Sequence, residues 1–90
     1  MKTVKGFKLR PLGSEFIMTM EGSHQVDFNR MIAVNGTAAF LWRHVDGMES
    51  FEIEDLVKLL VEEYEIDTDL ALKDSQAIAM QWKEAGIVTD

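Results

Sequence analysis

The chain has 90 residues and no cysteine, a length that suits one domain with one modest core and a composition that excludes disulfides and thiolate metal sites. Apolar residues make up 47% and charged residues 28%, an ordinary soluble balance, and no stretch nears the roughly 18 apolar residues of a membrane span. The net charge of −7 is divided: residues 1–45 hold six Lys/Arg against three Asp/Glu, net +3, and residues 46–90 hold three Lys against thirteen Asp/Glu, net −10.

The opening MKTVKGFKLR has no apolar run behind its lysines, so it does not read as a signal peptide, and a cytoplasmic location is expected. FKLR, residues 7–10, alternates like a short strand that Pro11 and Gly13 bring to a stop. EFIMTM, residues 15–20, sets Phe16, Met18 and Met20 on one face of a second strand and Ile17 and Thr19 on the other. Glu21-Gly22-Ser23 reads as a turn. A third strand from Val26 points Val26, Phe28, Ile32 and Val34 one way, unless residues 27–30 form a turn or bulge that shortens it to about residues 30–34. The three strands form an antiparallel meander.

At Asn35 the period changes. Its side-chain oxygen suits the N-cap of a short helix whose stripe is Ala38, Leu41, Trp42 and Val45, ended by Asp46-Gly47. A second helix spans about Ile53–Tyr64, with Ile53, Leu56, Val57, Leu60 and Tyr64 inward and Glu52, Glu54 and Asp55 near its start, where the dipole favours anions. Glu65-Ile66-Asp67 connects it to a third helix, capped by Asp67 or Thr68 and reaching about Ala85, with Ala71, Ser75, Ile78, Ala79 and Trp82 inward. Gly86 stops that helix and Ile87-Val88 tucks back. The expected fold is α+β and winged-helix-like: a three-stranded antiparallel sheet followed by three helices, in one domain over residues 1–90.

Little in the chain carries catalysis. His24 falls in a turn and His44 at a helix end, where an imidazole suits the dipole, and neither has metal-ligand spacing or a partner motif. Glu62, Glu63, Glu65, Asp67 and Asp69 lack the spacing and glycine of a calcium loop and read as a solvated acidic face. There is no phosphate-binding glycine motif. A non-enzyme without cofactor or metal is expected. Nucleic acid is excluded by charge, because both helices of the helical pair fall in the half carrying −10. Protein binding remains. An edge strand presents unpaired N–H and C=O groups to which an extended peptide can add. The strand ending in MIAV is the candidate, with Met31 and Ala33 facing a guest and the third helix as the far wall. Methionine suits such a groove because its thioether adapts to varied partners, but from pattern alone the chain's methionines read first as core filler.

Four segments together resemble the PqqD-like family, named after the pyrroloquinoline quinone biosynthesis protein D. These are GFKLR; IAVNGTAAFLW followed by DG; LLVEEYEID; and ALKDSQAIAMQWKEAGIV. Val34 and Gly36 stand where the family usually has Leu and Glu, Ser75 replaces an apolar residue and Trp82 a Leu, departures that point to a branch not devoted to the quinone. The resemblance implies a peptide chaperone that recognises the leader of a ribosomally made precursor and presents it to a maturation enzyme, often of radical S-adenosylmethionine type. It implies that the leader adds along the third strand and packs on the third helix. Carried over by position, Arg30, Met31, Ile32, Ala33 and Val34 supply main-chain bonding, and Asp74, Ala77, Ile78 and Gln81 line the groove, with Ile78 also readable as core. The competing expectation is an acidic winged-helix regulator or assembly subunit that binds a folded protein. Both monomer and homodimer are compatible with a free edge.

Overall fold

The computed structural model describes residues 1–22 and 25–90, with side chains for residues 1–20 and 32–90. Of the expected turn, Glu21 and Gly22 instead extend the second strand of the meander, paired with Val26 and Gln25, whereas Ser23, His24 and the facing of Val26 and Phe28 lie outside the described residues. The elements run β1 (Lys2–Thr3), β2 (Phe7–Leu12), β3 (Glu15–Gly22), β4 (Gln25–Val34), α1 (Gly36–Val45), α2 (Ile53–Tyr64), α3 (Thr68–Ala85) and β5 (Val88–Thr89). The order β2-β3-β4 forms the antiparallel three-stranded sheet, and the three helices follow it. The fold is α+β and winged-helix-like, as expected.

Two features of the sheet differ from expectation. First, β2 does not stop at Pro11 but runs through it to Leu12, with Pro11 opposite Phe16. Proline has no N–H to donate, and β2 tolerates it because it is an edge strand. The hairpin then closes over Gly13-Ser14, with Gly13 at φ 64°, a left-handed conformation that suits glycine in a two-residue loop. Second, the β3–β4 ladder slips. Phe16, Ile17 and Met18 pair with Val34, Ala33 and Ile32, but Met20 pairs with Asp27, so residues 28–31 stand against the single Thr19. The bulge weighed for residues 27–30 is therefore present, although β4 stays a long strand around it. The slip breaks the two-residue alternation of β3. Thr19 is buried beside the buried Met18, whereas strict alternation had placed it on the other face.

Each helix is bounded by the chemistry its ends require. The Oδ1 of Asn35 accepts a hydrogen bond from the Ala38 amide at 2.8 Å, and Ala38, Leu41, Trp42 and Val45 are all buried. The Glu52 amide donates to the Asp55 carboxylate at 2.7 Å at the start of α2. Within α2, Leu56 and Leu60 are buried, but Tyr64 is not the inward residue expected. It is 43% exposed, with its ring edge-on to Phe40 at 5.7 Å, because the last turn of α2 has run past the core. Asp67 caps α3 by accepting from the Leu70 amide at 3.0 Å. At the other end Gly86, at φ 80°, donates to the Lys83 carbonyl while the Ile87 amide donates to the Trp82 carbonyl at 3.0 Å, a Schellman stop.

The core lies between the sheet and the helices. Trp82 stands edge-on to Trp42 at 5.4 Å and to Phe51 at 6.2 Å, occupying the room left by the small Ser75 and Ala79 on the same face of α3. Two polar atoms in this core, Trp42 Nε1 and Ser75 Oγ, have no hydrogen-bond partner. A second sheet, which the sequence patterning did not reveal, ties the two ends of the chain: β1 pairs with β5, Lys2 opposite Thr89 and Thr3 opposite Val88. The Lys83 ammonium holds the Asp90 carboxylate at 2.6 Å, and that cation keeps the Asp90 carboxyl below the usual carboxylate range. No described helix is long and apolar enough to cross a membrane.

Candidate peptide-binding site

A three-stranded sheet has two free rims, and here they are chemically unlike. The rim of β2 carries Pro11, which lacks a donor, and the exposed cations Lys8 and Arg10, the usual means of blunting an edge against further strands. β4, at the other rim, contains no proline. Among the described residues no strand pairs with its outer side, and the C-terminal strand β5 is engaged with β1 instead. A strand's N–H and C=O groups alternate sides, so those of β4 not used by β3 point outward. Among the described residues, β4 thus has a free rim with no proline to remove a donor, and its register with β3 is regular over residues 32–34.

The five strand residues expected at the site all lie in β4. Val34 is 8% exposed and belongs to the core, Ile32 is half-buried against it, and Ala33 is exposed. The side chains of Arg30 and Met31 lie outside the described set. Of the helix residues, Ala77 and Gln81 are exposed, Asp74 is half-buried, and Ile78 is 7% exposed within the same core cluster as Val34. Val34 and Ile78 thus belong to one core cluster, although among the described residues the main packing of α3 is on α2 and β5 rather than on β4. At about 100° of rotation per residue, Asp74, Ala77 and Gln81 fall on one flank of α3, beside its buried stripe. Leu70 falls there too and is 45% exposed. Sequence reasoning missed Leu70, although its spacing of four and seven residues from Asp74 and Ala77 was the available signal.

Of the methionines, Met18 is fully buried and Met20 partly so, both as core, Met48 and Met80 are 40% and 62% exposed, and the side chain of Met31 lies outside the described set. The exposed His44 sits with its ring 4.8 Å from Phe40, one turn earlier in α1, and Arg43 lies 4.9 Å over the Phe16 ring, which ties α1 to β3. Among the described residues no three His, Asp or Glu side chains are grouped so as to hold a metal ion.

The comparisons with known proteins bear on this geometry. The solved structure of TbiB1 in complex with the TbiA(beta) leader peptide superposes with a TM-score of 0.71 over all of both chains at 12% identity, a likeness of fold. No curated protein matches the sequence. The family model of the coenzyme PQQ synthesis protein D matches residues 15–88, which takes in three of the four resembling segments and leaves GFKLR outside. With most of its length matched, the chain belongs to the PqqD family.

Proposed function

We propose that this protein binds the leader segment of a ribosomally synthesised precursor peptide as an added strand along β4, with the Leu70, Asp74, Ala77 and Gln81 flank of α3 as the second wall. It then presents the peptide to a maturation enzyme of radical S-adenosylmethionine type, as a peptide chaperone that performs no chemistry itself. Membership of the PqqD family supports this reading, and so does the leader peptide held by TbiB1, whose fold spans the whole chain. The observation that carries it is the asymmetry of the two rims: β2 is interrupted by Pro11 and β4 is not.

The energetics suit a transient carrier. Ordering a flexible leader costs roughly 2–5 kcal/mol of the gross interaction, so a net of about −8 kcal/mol, a micromolar Kd, is reasonable. The protein acts in the cytoplasm, where the precursor is made, as a monomer or a homodimer. The test is a titration of isotope-labelled protein with the leader encoded in the neighbouring gene. Shifts concentrated at residues 30–34 and at Leu70, Asp74, Ala77 and Gln81 are expected. Shifts confined to α2 would instead favour an acidic regulator that binds a folded protein.

A further inference from the structure

α3 has two flanks beside its buried stripe, and the leader reading uses one. On the other, Thr68, Leu72, Gln76, Met80 and Lys83 follow one another at helical spacing against α2. Leu72 closes a hollow of about 500 Å³ with Val57 and Val61, rimmed by Glu54, Lys58 and Glu62. A separate hollow of about 170 Å³ lies further along the same helix pair, between Ile53 of α2 and Gln76, Met80 and Lys83 of α3. An isolated exposed leucine needs no explanation. Here Leu72 at 40% and Met80 at 62% exposure lie about two turns apart on α3, Leu72 beside partly buried Val57 and Val61 and Met80 beside partly buried Ile53. From Thr68 to Lys83 the furrow runs about 22 Å, the length of about four helical turns.

The rim sets what can lie there. On α2, Lys58 stands one turn from Glu54 on one side and from Glu62 on the other, so its charge is outnumbered. On α3, Lys83 is already held by Asp90. The rim is therefore net acidic, within the half of the chain that carries −10. We propose that the α2–α3 furrow docks an amphipathic helix of the partner enzyme, with an apolar ridge seated over Val57, Val61, Leu72 and Met80 and with Lys or Arg on the flank facing Glu54 and Glu62. Because the Leu72 side of the furrow lies across the buried stripe of α3 from Asp74, Ala77 and Gln81, one copy holds leader and enzyme together. The identity of the partner rests on the leader-carrier reading; the furrow and its charge do not.

The test uses a synthetic helical peptide of about 16 residues with a leucine ridge and lysine flanks, and a control with glutamate in place of lysine. Titrated into the labelled full chain, the lysine peptide shifts Val57, Val61, Leu72 and Met80 and leaves residues 30–34 unmoved, and the glutamate peptide binds at least tenfold more weakly. Met80→Asp, at a site too exposed to disturb folding, and Leu72→Asp each weaken the lysine peptide at least tenfold and leave leader affinity within twofold. Glu54→Lys with Glu62→Lys abolishes the preference for lysine. Equal binding of the two peptides, or shifts outside the furrow, overturns the proposal, as does self-association of the protein alone that Met80→Asp abolishes, which assigns the furrow to a second copy. Loss of leader binding with the furrow results intact refutes the leader reading alone.

Discussion

At the scale of single residues, the departures from the family pattern are the informative positions. Gly36 is the first residue of α1, a Cβ added there meets nothing within 4 Å, and the first turn holds no acidic residue. Glu there, the usual family residue, removes the glycine entropy and places an anion at the positive end of the helix. Gly36→Glu is expected to raise stability by about 0.5–1 kcal/mol, read from the midpoint of a urea transition. Ser75 is the opposite case, since its hydroxyl is fully buried with no partner. Ser75→Ala removes that penalty and improves helix propensity, a gain of about 1–2 kcal/mol in the same measurement. Asn35 needed no structure to be understood, because a change of hydrophobic period immediately after an Asn is a cap, and the bond to Ala38 is the one expected.

At the scale of elements, legibility follows periodicity. α2 runs over Ile53–Tyr64 as read from its stripe and its acidic start, and the inward face of α3 is Ala71, Ser75, Ile78, Ala79 and Trp82 as read. What escaped has no period to display. β1 and β5 are two residues each, and Phe51, fully buried, sits in the connector before α2. Pro11 misled because a breaker is a breaker only where its N–H is needed, and whether a strand is an edge is a property of the sheet. For the site, β4 was visible as a strand, but its bulge was one of two open readings, and Leu70 was hidden behind the attention given to core positions. Gly86 shows an element end carried by one residue. At φ 80° with two amides returned to α3, Gly86→Ala is expected to lower stability by about 1–2 kcal/mol and the thermal midpoint by several degrees in a circular dichroism melt.

At the scale of the whole molecule, leader and enzyme are proposed to occupy separate surfaces, and the division of charge makes the two separable. Main-chain pairing along β4 involves neutral donors and acceptors, and contacts of the acidic helical half involve full charges. Raising salt from about 0.05 to about 0.5 M is therefore expected to leave leader affinity nearly unchanged and to weaken the enzyme contact, as two calorimetric titrations would show. The central claim concerns the free rim of β4, and amide hydrogen exchange along residues 30–34 with and without the leader reads it most directly. The account predicts that alternate amides, those turned away from β3, exchange fast in the free protein and become strongly protected on leader addition, while their neighbours change little. If those outward amides still exchange freely at saturating leader, or protection appears only in α2, the leader does not add to this strand and the account is wrong.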